Sequence, residues 1–365
     1  MRTTRTRTST PTNITSTQVL PIPWHPRRPG LQAAHRLDPK GEKGPARGQS
    51  QGRRWRAVAP GWFRPAGEPD SVEQRIVEAS YRVPDGGGVT GWASLRWLGG
   101  RWFDGTLPDG SLRDVPVTMI TSHRSHTPGI RYTKERLRPG ELMELDGLRV
   151  TTAVRSVMFE ARHAETLGDA VVAMDMACFN DLVSLAEISK AVDESKAWTG
   201  IQQARDALSL ASENAWSPAE VAFRLLWTEV AELGPVLCNV PIFDFNGRHL
   251  LTPDLFDPVA GVVGEYQGAH HFERSQRRRD ITRETLLRDH GLEYVERVAG
   301  EETTRFLIRL RSAYARAARI SADRRRFNLT PPPSWTPTET VAQRRALLPH
   351  QRASLLAHRG LDSVA

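Results

Sequence analysis

Cysteine is nearly absent from this chain: two among 365 residues, Cys178 and Cys238, far apart and in apolar surroundings. That excludes a disulfide framework and any site built on paired cysteines, and it fits a reducing compartment, the cytoplasm. Long apolar runs are missing as well. None approaches the ~20 residues that a membrane-spanning helix needs, so no membrane partner is expected. Apolar residues make up 39% and aromatics 7%, low for a compact chain of this size, so part of it is expected to stay outside any core. Acidic residues are scarce at both ends. Residues 1–60 carry a net charge of +10 and residues 321–365 carry +4, against −6 between them, for a total of +8. Basic ends suit a polyanion, because each Lys or Arg that neutralises a phosphate releases a counterion. They equally suit a solvated tail that only maintains solubility.

What is present falls into segments. Residues 1–51, rich in Arg, Thr, Pro and Gly and without periodicity, read as a disordered basic arm. "GRRWRAVAPGWFRP" (52–65) alternates around Pro-Gly, as a hairpin does. "SVEQRIVEASYR" (71–82) and "VTGWASLRWLG" (89–99) have helical spacing, and "VPVTMIT", "GIRYT" and "GLRVT" read as strands. Helical patterns dominate from Thr152 to about Asn214, where Met174, Met176 and Phe179 are expected in the core. The last third then runs αβββαβα. It opens with a helix (217–234), passes through "PVLCNVPIFDF", "HLLTPDLFD" and "GVVGEYQG" and a basic helix (274–290), and ends on the strand "EYVERV" (293–298) and a helix (301–320). The fold class is therefore α+β and multidomain. The expected boundaries are 52–145, a helical domain at 146–213, an α/β domain at 214–320 and a basic Pro-rich tail at 321–365.

The chemistry concentrates at "PDLFDPVAGVVGEYQGAHH" (253–271). If "HLLTPDLFD" and "GVVGEYQG" pair across the turn at 258–261, Asp254 and Glu265 stand at comparable heights on neighbouring strands, and Val263, Glu265 and Gln267 share one face. Two carboxylates that close repel unless one is protonated or a cation lies between them. Oxygen ligands suit Mg²⁺ or Mn²⁺, which would polarise a phosphodiester and activate water. Two polar residues on a wet strand face are the plain alternative. Arginines 274, 277, 278, 279, 283 and 288 surround a thin apolar stripe in the following helix. Arg277, Arg278, Arg279 and Arg283 there would contact DNA backbone phosphates without reading bases.

Pro253-Asp254, then ten residues, then Glu265-Tyr266-Gln267 resembles the PD-(D/E)XK nuclease pattern. The wider run "GEYQGAHH…RRRD…GLEYVERV" is similar to the very-short-patch-repair-like (Vsr-like) branch, through Glu265, Gly268, His271, Arg279-Asp280 and Arg297. The resemblance spans about residues 215–315 and implies a restriction-endonuclease-like fold. It implies that Asp254 and Glu265 hold the metal and that Gln267 stands where a lysine usually orients the attacking water. Glu220 takes the place of the first-helix acid, and His271 would act as general base or touch a phosphate. Glutamine lacks the lysine's charge, and Gly264 stands where a bulky strand residue is usual and would weaken the strand. Glu220 has a second reading from its own surroundings, because Ser217, Pro218 and Glu220 form a capping-box pattern at a helix start.

Upstream, "GRRWRAVAPGWFRP", "GVTGWASLRWLG" and "LDGLRVTTAVRSVMFEARHA" resemble the abortive-infection antitoxin-like proteins of AbiEi type. That implies a degenerate winged helix with Arg53, Arg54 and Arg56 on phosphate, and a cognate toxin as partner. Basic edges that resist strand-to-strand aggregation explain the same arginines. Together the resemblances imply a metal-dependent DNA endonuclease fused to an antitoxin-like module, in phage defence or mobile-element biology. The alternative is a non-catalytic DNA-binding regulator on a degenerate nuclease fold.

Overall fold

The computed structural model describes residues 28–67, 71–107, 109–119, 126–268 and 285–359, with the backbone of 12–13. It is a mixed α+β chain that divides into two compact units, residues 1–163 with 190–199 and residues 164–189 with 200–365. The boundary falls inside the helical stretch expected at 146–213. That stretch is not a separate domain, because its first helix packs in one unit and its later helices in the other.

In the first unit, strands β1 (Thr12–Asn13), β2 (His35–Arg36), β3 (Trp55–Ala59) and β4 (Trp62–Pro65) precede helices α1 (Val72–Ser80) and α2 (Gly91–Trp97). Strands β5 (Val115–Thr118), β6 (Ile130–Thr133), β7 (Leu142–Leu145) and β8 (Leu148–Thr151) follow, then helix α3 (Ala153–His163). The hairpin β3–β4 forms at Pro60-Gly61 and is joined by β2 in a three-stranded sheet. Residues 28–51, expected in a disordered arm, are part of this unit: Ala34 is buried, and the Arg28 guanidinium lies 3.8 Å from the centre of the Trp97 ring. An indole face gives a cation somewhere to sit that composition alone does not reveal.

Glu135 organises one corner of this unit. Its carboxylate takes Arg155 and Arg162 at 2.5 Å each and His163 at 2.5 Å. The guanidiniums of Arg138, Arg155 and Arg162 surround Trp198 at 4.8, 4.7 and 4.6 Å from the ring centre. Burial pushes the Glu135 carboxyl up, but the His163 hydrogen bond and the two arginine charges outweigh it and hold the group at about 2.

The second unit begins with helices α4 (Leu167–Phe179), α5 (Leu185–Glu194, whose last residues belong to the first unit) and α6 (Ile201–Leu210). Helix α7 (Pro218–Leu225) follows and continues as a π-helical turn, Leu226–Val230. A buried ion pair, Arg224 Nη2 to Asp175 at 2.5 Å, ties α7 to α4. Then come strands β9 (Leu237–Cys238), β10 (Ile242–Phe243), β11 (His249–Leu251), β12 (Leu255–Asp257), β13 (Val262–Gln267) and β14 (Glu293–Val298), and helix α8 (Thr303–Ala317).

The main sheet has the order β14-β13-β12-β9, antiparallel except for the parallel β13–β14 pair. Parallel neighbours need a crossover between them, and residues 285–289, the described end of that connection, are helical. Each of the two middle apolar runs splits between sheets, since β10 and β11 form their own ribbon. Asn239, at φ 48°, turns the chain out of the main sheet before Pro241.

One sheet face, with Leu255, Val262 and Val295, packs on Phe223 and Trp227 of the α7 segment and on Phe306 and Leu310 of α8. The other, with Phe256 and Val263, packs on Ile242, Leu251, Leu287 and Leu292. Gly264 is required by this packing. A Cβ there would lie closer than 3.0 Å to the Trp227 ring and 3.1 Å from Phe223, so the glycine admits the indole against the sheet and does not simply weaken a strand.

Residues 321–359 are also not a free tail. They carry helices α9 (Val341–Arg345) and α10 (Pro349–His358). Arg344 is fully buried, donating to Asp181 Oδ1 at 2.7 Å and to the carbonyls of Cys178 (2.7 Å), Thr338 (2.9 Å) and Glu213 (3.0 Å). The charge that suggested a solvated end instead supplies interior hydrogen bonds.

Candidate functional site

The turn at 258–261 is set by Asp257, whose Oδ1 accepts the Val259 and Ala260 N–H groups at 2.9 and 2.8 Å while Tyr314 donates to its other oxygen at 2.6 Å. That turn fixes the register Asp257↔Val262, Phe256↔Val263 and Leu255↔Gly264, the last pair of the β12–β13 ladder. The hairpin expected from sequence therefore forms, with Glu265 inside β13 and Asp254 one residue beyond the last paired position of β12. The Asp254 carboxylate accepts the Tyr266 N–H at 2.7 Å, occupying a place that a strand carbonyl would otherwise fill. Glu265 and Gln267 alternate on the face that begins with buried Val263. On the parallel neighbour, Glu296 stands level with Glu265. Its alternating segment was legible as a strand, but its height beside Glu265 depends on the crossover and was not.

Glu220 joins the pair from the start of α7. Ser217 caps the helix by accepting the Glu220 N–H at 3.2 Å. The reciprocal half of the expected capping box is not what the Glu220 carboxylate makes. It takes the Trp216 N–H at 2.8 Å, the Ser217 hydroxyl at 3.0 Å and the Asn239 side-chain amide at 2.8 Å. Burial, and next the charge of Asp254, push this carboxyl up to about 7, while the three hydrogen bonds pull the other way. Glu220 and Asp254 thus sense each other directly, and excess negative charge collects where the helix start meets the strand.

Asn239 was not anticipated, because a lone asparagine before Val-Pro carries no motif. It is buried and left-handed, a conformation that asparagine tolerates better than most residues. Its backbone N–H reaches the Asp254 carbonyl at 3.1 Å, and its amide reaches both Glu220 and the Asn214 carbonyl at 2.8 Å. Asn214 answers with amide bonds to the Cys238 and Asn239 carbonyls at 2.9 and 3.0 Å. Two asparagines therefore clamp the helix acid to the strand acid.

Among the other expected positions, His271, Arg277, Arg278, Arg279 and Arg283 lie outside the described residues. Arg53 and Arg54 are exposed at the start of the β3–β4 hairpin. Arg56 is committed to an ion pair with Glu78 at 2.6 Å, and Arg64 reaches the same carboxylate, so structural pairing occupies part of that basic face. Arg297 lies over the Phe306 ring at 5.6 Å.

The chain matches no family model, no curated protein and no solved structure. The site must be read from its own residues.

The side chains gathered here are oxygen donors, the ligand type of hard cations. The donors are carboxylates, and burial with mutual repulsion has already raised one of them. Both cysteines are buried with thiols pushed up by burial, which disfavours a thiolate site. Among the described residues no group of three or more His, Cys, Asp or Glu side chains is arranged to hold a metal.

Proposed function

We propose that the second unit carries a metal-dependent DNA endonuclease of PD-(D/E)XK type, resembling the very-short-patch-repair-like branch, and that the first unit carries an antitoxin-like, degenerate winged-helix module that helps hold DNA. The observation that carries the reading is Asp254 at the open end of the β12–β13 hairpin, bonded to the N–H of Tyr266 beside Glu265, with Glu220 raised to about 7 by burial and by Asp254. The order β14-β13-β12-β9, with α7 and α8 packed on one face, supports it, the β10–β11 ribbon being a departure from the single sheet expected from the αβββαβα succession. Asp254 and Glu265 would hold Mg²⁺ or Mn²⁺, which when bound supplies Lewis-acid stabilisation of phosphate charge and a more acidic water. Gln267 can hold a water by hydrogen bonding on the Glu265 face but gives it no charge. Glu220, at about 7, can take up or release a proton near neutrality.

A second reading, a non-catalytic DNA-binding regulator, is favoured by one observation: Gln267 stands where a lysine would supply positive charge. The test uses supercoiled plasmid with the purified full chain in Mg²⁺ or Mn²⁺. Asp254→Asn is the informative variant, because an amide can still accept the Tyr266 N–H while losing the metal-binding charge. Nicking should fall by roughly 10²-fold or more, as when a major electrostatic contributor is removed, and chelation should abolish it. Equal nicking by the variant would assign the activity elsewhere. Salt-dependent DNA binding without cleavage in either metal would establish the regulator.

A further inference from the structure

The C-terminal helix brings a cation to the acid cluster. Helix α10 ends beside Trp216, with His358 edge-on to the indole at 5.5 Å between ring centres. The next residue, Arg359, lays its guanidinium over Phe179 at 4.9 Å and over Trp216 at 5.1 Å. It makes two long hydrogen bonds, 3.3 Å to the Phe179 carbonyl and 3.4 Å to Asn214 Oδ1, and its buried Nε has no hydrogen-bond partner. Asn214 belongs to the asparagine clamp on Glu220, so hydrogen bonds lead from Arg359 through Asn214 and Asn239 to the helix acid.

We propose that Arg359 contacts the backbone phosphate of a nucleic-acid substrate at this site, supplying the positive charge that Gln267 does not. The inference rests on the nuclease-type reading of Asp254 and Glu265. A planar guanidinium held over two rings is pre-organised, and its fork suits a phosphate oxygen pair better than two long bonds to neutral carbonyls. The segment that carries it is fixed in place. Arg344 is locked to Asp181 and to three carbonyls, and Arg352 reaches Asp181 at 3.0 Å. Burial, and then the charge of Arg344, lower the Arg359 group to about 10, against the opposing pull of Asp181 and Glu220. It remains a cation at neutral pH.

The experiment compares the full-length wild type with Arg359→Ala and Arg359→Lys. A fluorescein-labelled DNA duplex is titrated in Ca²⁺ over a range of salt, and plasmid nicking is followed in Mg²⁺. One lost phosphate contact should shrink the log–log salt slope by about 0.9. It should raise KM about tenfold with kcat little changed, and leave the Mg²⁺ affinity measured by calorimetry unaltered. Arg359→Lys should keep the slope. If Arg359→Ala binds with an unchanged slope and KM while the wild type binds and cleaves, the inference is wrong and the nuclease reading stands. Equal loss of slope in the Lys variant would make the residue an anchor for α10 only and also overturn it. A wild type that neither binds nor cleaves DNA removes the reading itself, and the inference with it.

Discussion

Replacing Gly264 by alanine separates sequence logic from tertiary packing. By strand propensity alone, any side chain improves on glycine, and a β-branched one most of all. The structure reverses that expectation. A methyl at 264 would intrude on the Trp227 ring at under 3.0 Å and stand 3.1 Å from Phe223. The indole cannot retreat easily, because its N–H donates to Tyr314 Oη at 2.8 Å, and Tyr314 in turn donates to Asp257 Oδ2 at 2.6 Å. Overpacking of this kind costs about 1–3 kcal/mol, partly offset by the ~0.5–1 kcal/mol gained in leaving glycine's backbone entropy behind. The net loss is centred on about 1 kcal/mol and reaches about 2.5 kcal/mol, a fall in Tm of roughly 3 °C at the centre for a unit of this size. Gly264→Val should lose more. Thermal and urea unfolding followed by tryptophan fluorescence measure both. Trimming the indole with Trp227→Leu should make the alanine at 264 less harmful than in the wild-type background, a coupling read from the double-mutant cycle. Unchanged or raised stability in either single variant refutes the packing argument.

Two further outcomes follow from the charges. Glu220 is raised from 4.5 to about 7, so its favourable contribution is complete below about 4.5 and is lost as pH rises through about 7. In chelator, Glu220→Gln should flatten the wild type's loss of stability between pH 5 and pH 8, by up to about 3 kcal/mol, and parallel urea midpoints would argue against this. Glu135 is lowered from 4.5 to about 2, so its stabilisation is present above about 4.5 and disappears as pH falls through about 2. Glu135→Gln leaves Arg155 and Arg162 buried without their shared anion and should cost about 3–5 kcal/mol at pH 7. A loss under 1 kcal/mol in chemical unfolding would mean that Trp198, Glu141 and the Thr199 carbonyl suffice for those guanidiniums.

Much of the local architecture was legible in the amino-acid order. The alternation in 262–267 and 293–298 specifies strands, three- and four-residue spacing specifies α8, and Ser217 announces the start of α7. The β12–β13 hairpin was legible too, because its turn lies between two short apolar runs and pleat alternation does the rest. These signals work within a few residues, where backbone geometry and solvent exposure decide.

Tertiary structure alone decided the remainder. Gly264 reads as a flaw until Trp227 arrives from another element. Asn239 is anonymous until its amide meets Glu220 and its N–H meets Asp254. Arg344 and Arg359 read as solvated tail charge, because composition carries no information about the distant carbonyls, carboxylate and rings that receive them. Periodicity determines which face of an element is apolar. Which distant side chain that face meets is set by the packing of the whole unit, and there buried polar groups find their partners.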